Sequence, residues 1–258
     1  MKRSNDRRAD RACARGSIFV SERNLKGLRL RAAVLRVLLV TIGFAAVARA
    51  QSGTIFWSQV DTYVGLTPNT DLMFLAAGSP GLDGKHPVLV LGPNFDLALW
   101  PFLTHLKTNN PERSKYLTLR LGYRYVRALD TSRVQNTGVI ELTPRFPLPL
   151  KMQLGDRNRI DLRGLPDRFT WRYRNRVTLL RSFQIRRYVF TPYGQAEIFY
   201  NCETGQWTQY TYTFGAISKL NQKMELDTWF RRRTEIVEPM TTVNIAGVKL
   251  LLFFRNFQ

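Results

Sequence analysis

Arg157, Arg159, Asp161 and Arg163 stand two residues apart, as do Arg172, Arg174 and Arg176, and then Tyr193, Gln195 and Glu197. In an extended strand alternate side chains share a face, so each set lies on one side of its strand. If those sides meet, Glu197, Asp161, Glu141, Glu225 and Asp227 can pair with the arginines across short distances. Two chemistries fit this lumen network. One is a packed ion-pair plug that fills a narrow interior; the other is a cationic constriction that selects anions. The plug is the favoured reading, and the excess of Arg keeps the anion reading open.

Catalytic constellations are sparse. The chain has two histidines, His86 and His105, both in or beside expected loops; His105 has no nearby Ser or acid in register, and His86 precedes Pro87. Glu225 and Asp227 form a carboxylate pair, but one surrounded by Arg, which makes them structural before glycosidic. No Gly-rich phosphate loop or nucleotide fingerprint occurs. Glu141 and Glu197 lack histidine companions, so no metal and no cofactor are expected, and the chain does not read as an enzyme. A lipid A or phospholipid modifying enzyme remains the alternative activity.

The elements that must carry these residues have a period of two. In residues 115–126, Leu117, Leu119, Leu121, Tyr123 and Tyr125 oppose Thr118, Arg120, Gly122 and Arg124. Phe169, Trp171, Tyr173, Val177 and Leu179 oppose the Arg172–Arg174–Arg176 side. Tyr210, Tyr212 and Phe214 oppose Gln209, Thr211 and Thr213. Such alternation without a 3.6 period predicts an all-β protein. Pro, Gly, Asn and Asp clusters separate eleven candidate strands, near 55–66, 70–77, 86–100, 114–127, 136–144, 152–163, 168–181, 187–200, 205–218, 222–233 and 241–257.

A soluble sandwich or lipocalin-type barrel competes with an outer-membrane barrel. Several segments exceed the 9–11 residues with which a tilted strand crosses a membrane, and the polar side carries Arg ladders while the other carries Trp and Tyr near strand ends. That is the inside-out pattern of a transmembrane barrel. The expectation is therefore an antiparallel up-and-down transmembrane β-barrel with a polar, Arg-rich lumen. Since bacterial single-chain barrels have even strand numbers, eleven is revised to about twelve, with ten as the fallback and an extra strand sought in residues 80–107.

Composition agrees with export. The chain has 258 residues, with 39 Lys and Arg against 19 Asp and Glu. Residues 37–47 form an apolar run preceded by Lys26, Arg29, Arg31 and Arg36 and followed by Ala48-Arg49-Ala50. This reads as a signal peptide: leader 1–50, cleavage after Ala50, barrel 51–258. The run is too short for a membrane-spanning helix, which needs about 20 residues. Cys202 is then left as the one cysteine of the mature chain, so no internal disulfide is expected. The chain's end, Phe253-Phe254-Arg255-Asn256-Phe257-Gln258, looks like the aromatic terminal strand of outer-membrane barrels.

Six stretches carry a wider resemblance. They are Gly92-Pro93-Asn94-Phe95-Asp96, Leu121-Gly122-Tyr123-Arg124-Tyr125, Thr143-Pro144-Arg145-Phe146-Pro147, Asp156-Arg157-Asn158-Arg159-Ile160-Asp161-Leu162-Arg163, Trp171-Arg172-Tyr173-Arg174-Asn175-Arg176, and Thr191-Pro192-Tyr193 with Glu197-Ile198-Phe199-Tyr200. In order and spacing they resemble the outer-membrane β-barrel family known as domain of unknown function 2490. The resemblance implies a barrel in the outer membrane of a Gram-negative cell and supplies no mechanism.

Partners follow from address and charge. Export and the apolar opposite face exclude nucleic acid in spite of the basic composition. Arg231, Arg232 and Arg233 end a strand before a loop expected to face outward, where the guanidinium geometry suits lipopolysaccharide phosphates. Outer-membrane lipid and the barrel-assembly machinery are the remaining expected partners.

Overall fold

The computed structural model describes residues 54–79, 87–99, 113, 115–130, 133–185, 188–238 and 240–254. The leader 1–50 with its cleavage site, His86, His105 and the terminal Phe257 lie outside the described residues. So do residues 80–86 and 100–107 of the stretch where an extra strand was sought.

Twelve strands form one sheet: β1 (Thr54–Thr67), β2 (Thr70–Ser79), β3 (Val88–Ala98), β4 (Leu117–Ala128), β5 (Val134–Leu148), β6 (Met152–Gly164), β7 (Phe169–Arg181), β8 (Phe183–Ile185), β9 (Tyr188–Asn201), β10 (Gln206–Asn221), β11 (Met224–Glu235) and β12 (Thr241–Phe254). Neighbours pair antiparallel around the ring, β9 pairs β10, and β12 pairs β1, so the sheet closes on itself. Closure leaves no long unpaired edge.

Eleven strands make the wall. β8 is a three-residue continuation of the β7 side beyond Ser182, paired to β9 from Phe183↔Phe190 to Ile185↔Tyr188. The eleven segments read from turn chemistry each correspond to one wall strand; revising the number to twelve for even parity is corrected. An odd meander brings its first and last strands together in the same direction. Here β1 and β12 run parallel from Thr54↔Asn244 to Val64↔Phe254. A parallel ladder still satisfies both backbones, only slightly less favourably per residue, and odd membrane barrels exist.

Odd parity also puts the two chain ends of the barrel at opposite rims. The upper rim holds the start of β1 and the β4–β5, β6–β7, β9–β10 and β11–β12 turns. The lower rim holds the β1–β2, β5–β6 and β10–β11 turns and the end of β12. At the lower rim β5 continues past Pro144 to Leu148, paired with β6 from Arg145↔Gly155 to Leu148↔Met152. Sequence had ended that strand at Pro144, because proline usually marks a strand boundary.

Alternation decides which side faces in. Phe74, Leu121, Ile140, Leu142, Phe214 and Phe230 are exposed on the outer wall, while Asp61, Asn94, Glu141, Asp161, Glu197 and Asp227 are buried inside. The polarity is inverted relative to a soluble barrel. One inward aromatic needs glycine across from it. Trp229 of β11 and Trp57 of β1 both oppose Gly247 of β12, and a Cβ at Gly247 would overlap the Trp229 indole. Likewise a Cβ at Gly122 would overlap the Asn94 side chain. The Gly92–Asp96 and Leu121–Tyr125 stretches are thus partners on adjacent strands, fitted together by that missing side chain.

Candidate functional site

The charged lumen is built from register. β6 and β7 pair so that Arg157 faces Arg176, Arg159 faces Arg174 and Asp161 faces Arg172. Two of those rungs oppose like charges, which destabilises a bare pair. Carboxylates from the same and the next strand resolve the conflict. β7 and β9 pair Arg176 with Glu197, and Glu197 accepts from Arg174 Nη2 at 2.8 Å, Arg176 Nη2 at 2.8 Å and Arg157 Nη2 at 3.0 Å. Asp161 accepts from Arg159 Nε at 2.5 Å and Arg172 Nη2 at 2.9 Å, and lies 3.5 Å from Arg174 Nη1.

Glu141 joins the network from β5, 3.6 Å from Arg157 and 3.9 Å from both Arg159 and Arg120. The Phe199 ring covers Arg174 at 4.6 Å and Arg172 at 5.2 Å from guanidinium carbon to centroid. Glu197 is 3% and Asp161 1% exposed, so these carboxylates depend on guanidinium donors in place of water. Ion pairing, charge-assisted hydrogen bonding and anion attraction are what this arrangement can do chemically.

The structure gathers seven of the eight expected lumen residues into this network. The eighth, Arg163, pairs in register with Thr137 and Thr170 near the upper rim and makes no ion pair among the described residues. Asp227 stands apart from the cluster, with Lys249 at 3.4 Å and the Tyr193 hydroxyl donating to it at 2.9 Å. No group of three or more His, Cys, Asp and Glu residues suited to a metal occurs among the described residues.

The expected lipopolysaccharide contact is split by the strand's alternation. Arg231 and Arg233 pair in register with Thr213 and Thr211 and turn inward. Arg231 donates to Thr213 Oγ1 at 3.1 Å and lies 4.4 Å from the Trp229 ring, and Arg233 pairs with Glu235 at 2.6 Å. Arg232 alone of the three is on the outer wall, exposed. A run of three cannot share a face in a period-two element.

Sequence reasoning missed a second tier. Arg120 grips Asp96 with two hydrogen bonds of 2.7 Å. Below it, the stretch before β4 folds into the lower end of the lumen. Lys115 lies 3.3 Å from Asp71, both essentially fully buried. Arg113 pairs with Glu225, its carbonyl accepts from Gln153 Nε2 at 3.1 Å, and the Lys115 carbonyl accepts from Arg145 Nη1 at 3.3 Å. Arg120 was visible in the alternation of its strand; Arg113 precedes every expected strand, and Lys115, placed in the strand expected at 114–127, would by alternation share the outward side of Leu117, whereas β4 begins only at Leu117.

Between the walls remains a cavity of about 600 Å³, lined among others by Arg124, Arg174, Arg231, Leu75, Val90 and Leu251. Arg113 also lines it, whereas Lys115, Asp71, Tyr63 and Glu225 do not, so the inward stretch forms its floor. No family model matches the chain, and a search of curated proteins finds no match.

Proposed function

We propose that this chain is an outer-membrane β-barrel, akin to the domain of unknown function 2490 family it resembles, with a charge-packed lumen and a structural, non-enzymatic role. The observation that carries the reading is the polarity of a closed wall: apolar side chains outside, ion pairs inside. An aromatic group at the upper rim supports it, with Trp171, Tyr200 and Trp207 packed tilted and edge-to-face on the outer face at centroid spacings of 6.0 and 5.5 Å; such girdles suit the membrane–water interface. One outer patch departs from the belt. Asp156, Asn158, Asn175 and the Tyr173 hydroxyl bond to one another on β6 and β7, which offsets part of their cost in lipid.

The barrel's export through residues 1–50, its insertion by the assembly machinery and contact of Arg232 with lipopolysaccharide belong to the same proposal. Fractionation tests it. The protein is expected in the outer membrane, running faster unboiled than boiled on a gel; a soluble protein without that shift would overturn the reading.

A narrow anion-preferring passage is the second reading. Twelve Arg and Lys against five Asp and Glu line the cavity. Asp96, Glu225 and Glu235 stand outside the lining and neutralise Arg120, Arg113 and Arg233, which leaves a formal excess of four positive charges. Planar-bilayer recording separates the readings: the floor at Arg113 should keep the wild-type barrel closed, and any conductance should favour anions.

A further inference from the structure

The two sides of the lumen are chemically different. In the eleven-strand ring, β1 and β2 stand opposite β7, and β12 and β3 flank them. Their inner face carries a buried apolar cluster that includes Leu75, Ala77, Val90 and Leu251, with Trp57 and Val126 packed against it. Of those six residues, all but Ala77 line the same cavity as the Arg ladder. A cavity wholly given to ion pairing would carry polar partners on both sides, because each buried cation needs an acceptor. Here that side offers few, Gln59, Asp61, Ser79 and Lys249, set beside the apolar cluster.

The cations left over stand at the seam between the two sides. Arg124 has no hydrogen bond or ion pair among the described residues, and its Nε is buried without an acceptor. It shares the inner face of β4 with Val126, which faces Val90 on β3. Arg231 donates to no carboxylate either; it rests on the Trp229 ring and pairs in register with Ile245. Each of these guanidiniums therefore adjoins apolar surface on one side and the Arg network on the other.

We infer that the lumen is a binding cup for a single-chain amphipathic anion, with its phosphate or carboxylate head on Arg124 and its chain along Leu75, Val90 and Leu251. A guanidinium fork matches both heads with paired hydrogen bonds. The cavity's size falls within the roughly 300–1,000 Å³ of small-molecule sites, and its floor at Arg113 makes it a cup. The inference deepens the anion-preferring reading of the lumen and rests on it, but it does not require that any solute cross the membrane.

The test uses the full barrel refolded in amphipol, with equilibrium dialysis of octyl phosphate, octanoate, inorganic phosphate and octanol, each below its micelle concentration. One octyl phosphate or octanoate should bind per barrel, at least tenfold more tightly than inorganic phosphate or octanol, and the tighter of the two identifies the head. Arg124→Gln should weaken the amphiphile at least tenfold and leave octanol unchanged, while Leu75→Asn should weaken amphiphile and octanol but not phosphate. Both variants are checked for retained gel heat-modifiability, so that loss of binding is not loss of fold. Equal binding of octyl phosphate and phosphate would reduce the site to a simple anion site, and equal binding of octyl phosphate and octanol to an apolar surface; either overturns the cup. Absence of the barrel from the outer-membrane fraction would sink the membrane reading and leave this titration unaffected.

Discussion

Glu197→Gln removes one negative charge from beneath three guanidiniums. The carboxylate is 3% exposed, and Arg174, Arg176 and Arg157 reach it within 3.0 Å. Removing one partner of a buried ion pair costs about 3–5 kcal/mol, mostly because the remaining charge is left uncompensated. The three arginine side chains are 12%, 15% and 19% exposed, so water relieves part of that charge and the lower end, about 3 kcal/mol, is the expected loss. The glutamine carbonyl still accepts one hydrogen bond, whereas Arg176 and Arg157 retain each other as register neighbours of like charge.

The assay is urea unfolding of the refolded barrel, followed by tryptophan fluorescence. Glu197→Gln should lower the midpoint, and Arg174→Met in the same chain should recover part of it. That coupling distinguishes a charge network from local packing. An unchanged midpoint, or strictly additive effects of the two substitutions, would refute the reasoning and mean that the lumen is wet enough to screen the cluster.

Gly247→Val should cut folded yield, since overpacking costs about 1–3 kcal/mol and the Trp229 indole occupies that space; Trp229→Ala in the same chain should restore yield, and no rescue would contradict the seating. Arg113→Ala, combined with Lys115→Ala, should open the floor and raise bilayer conductance above wild type; an unchanged trace would show that other residues close the lumen. Because successive turns alternate between rims, and with the end of β12 on the periplasmic side, an epitope in residues 236–238 should be labelled on intact cells and one at Asn221 should not; equal or reversed labelling would contradict the rim assignment. Arg120→Lys should destabilise the barrel by about 1–2 kcal/mol, since an ammonium cannot reproduce the two parallel bonds to Asp96; denaturant midpoints read the difference.

The strands, and the side each residue takes, were legible in the linear sequence because a strand's period is local: Arg172, Arg174 and Arg176 must share a face wherever the strand goes. The same rule, applied to Arg231–Arg233, forbids a shared surface, and there the spacing was informative enough to have excluded the triple contact. Eleven strands were countable from turn residues for the same reason. What no local pattern specifies is closure. Whether β12 meets β1 in parallel depends on how many strands the whole ring needs, a property of the assembled wall and not of any segment. The floor is likewise a tertiary fact, since Arg113 and Lys115 find Glu225 and Asp71 from strands far away in the chain, with no periodicity to announce them. So is the division of the lumen into an apolar side and a cationic side. Each inner face was readable strand by strand, but only the circular order sets Leu75 and Leu251 opposite the Arg ladder and leaves Arg124 at the boundary between them.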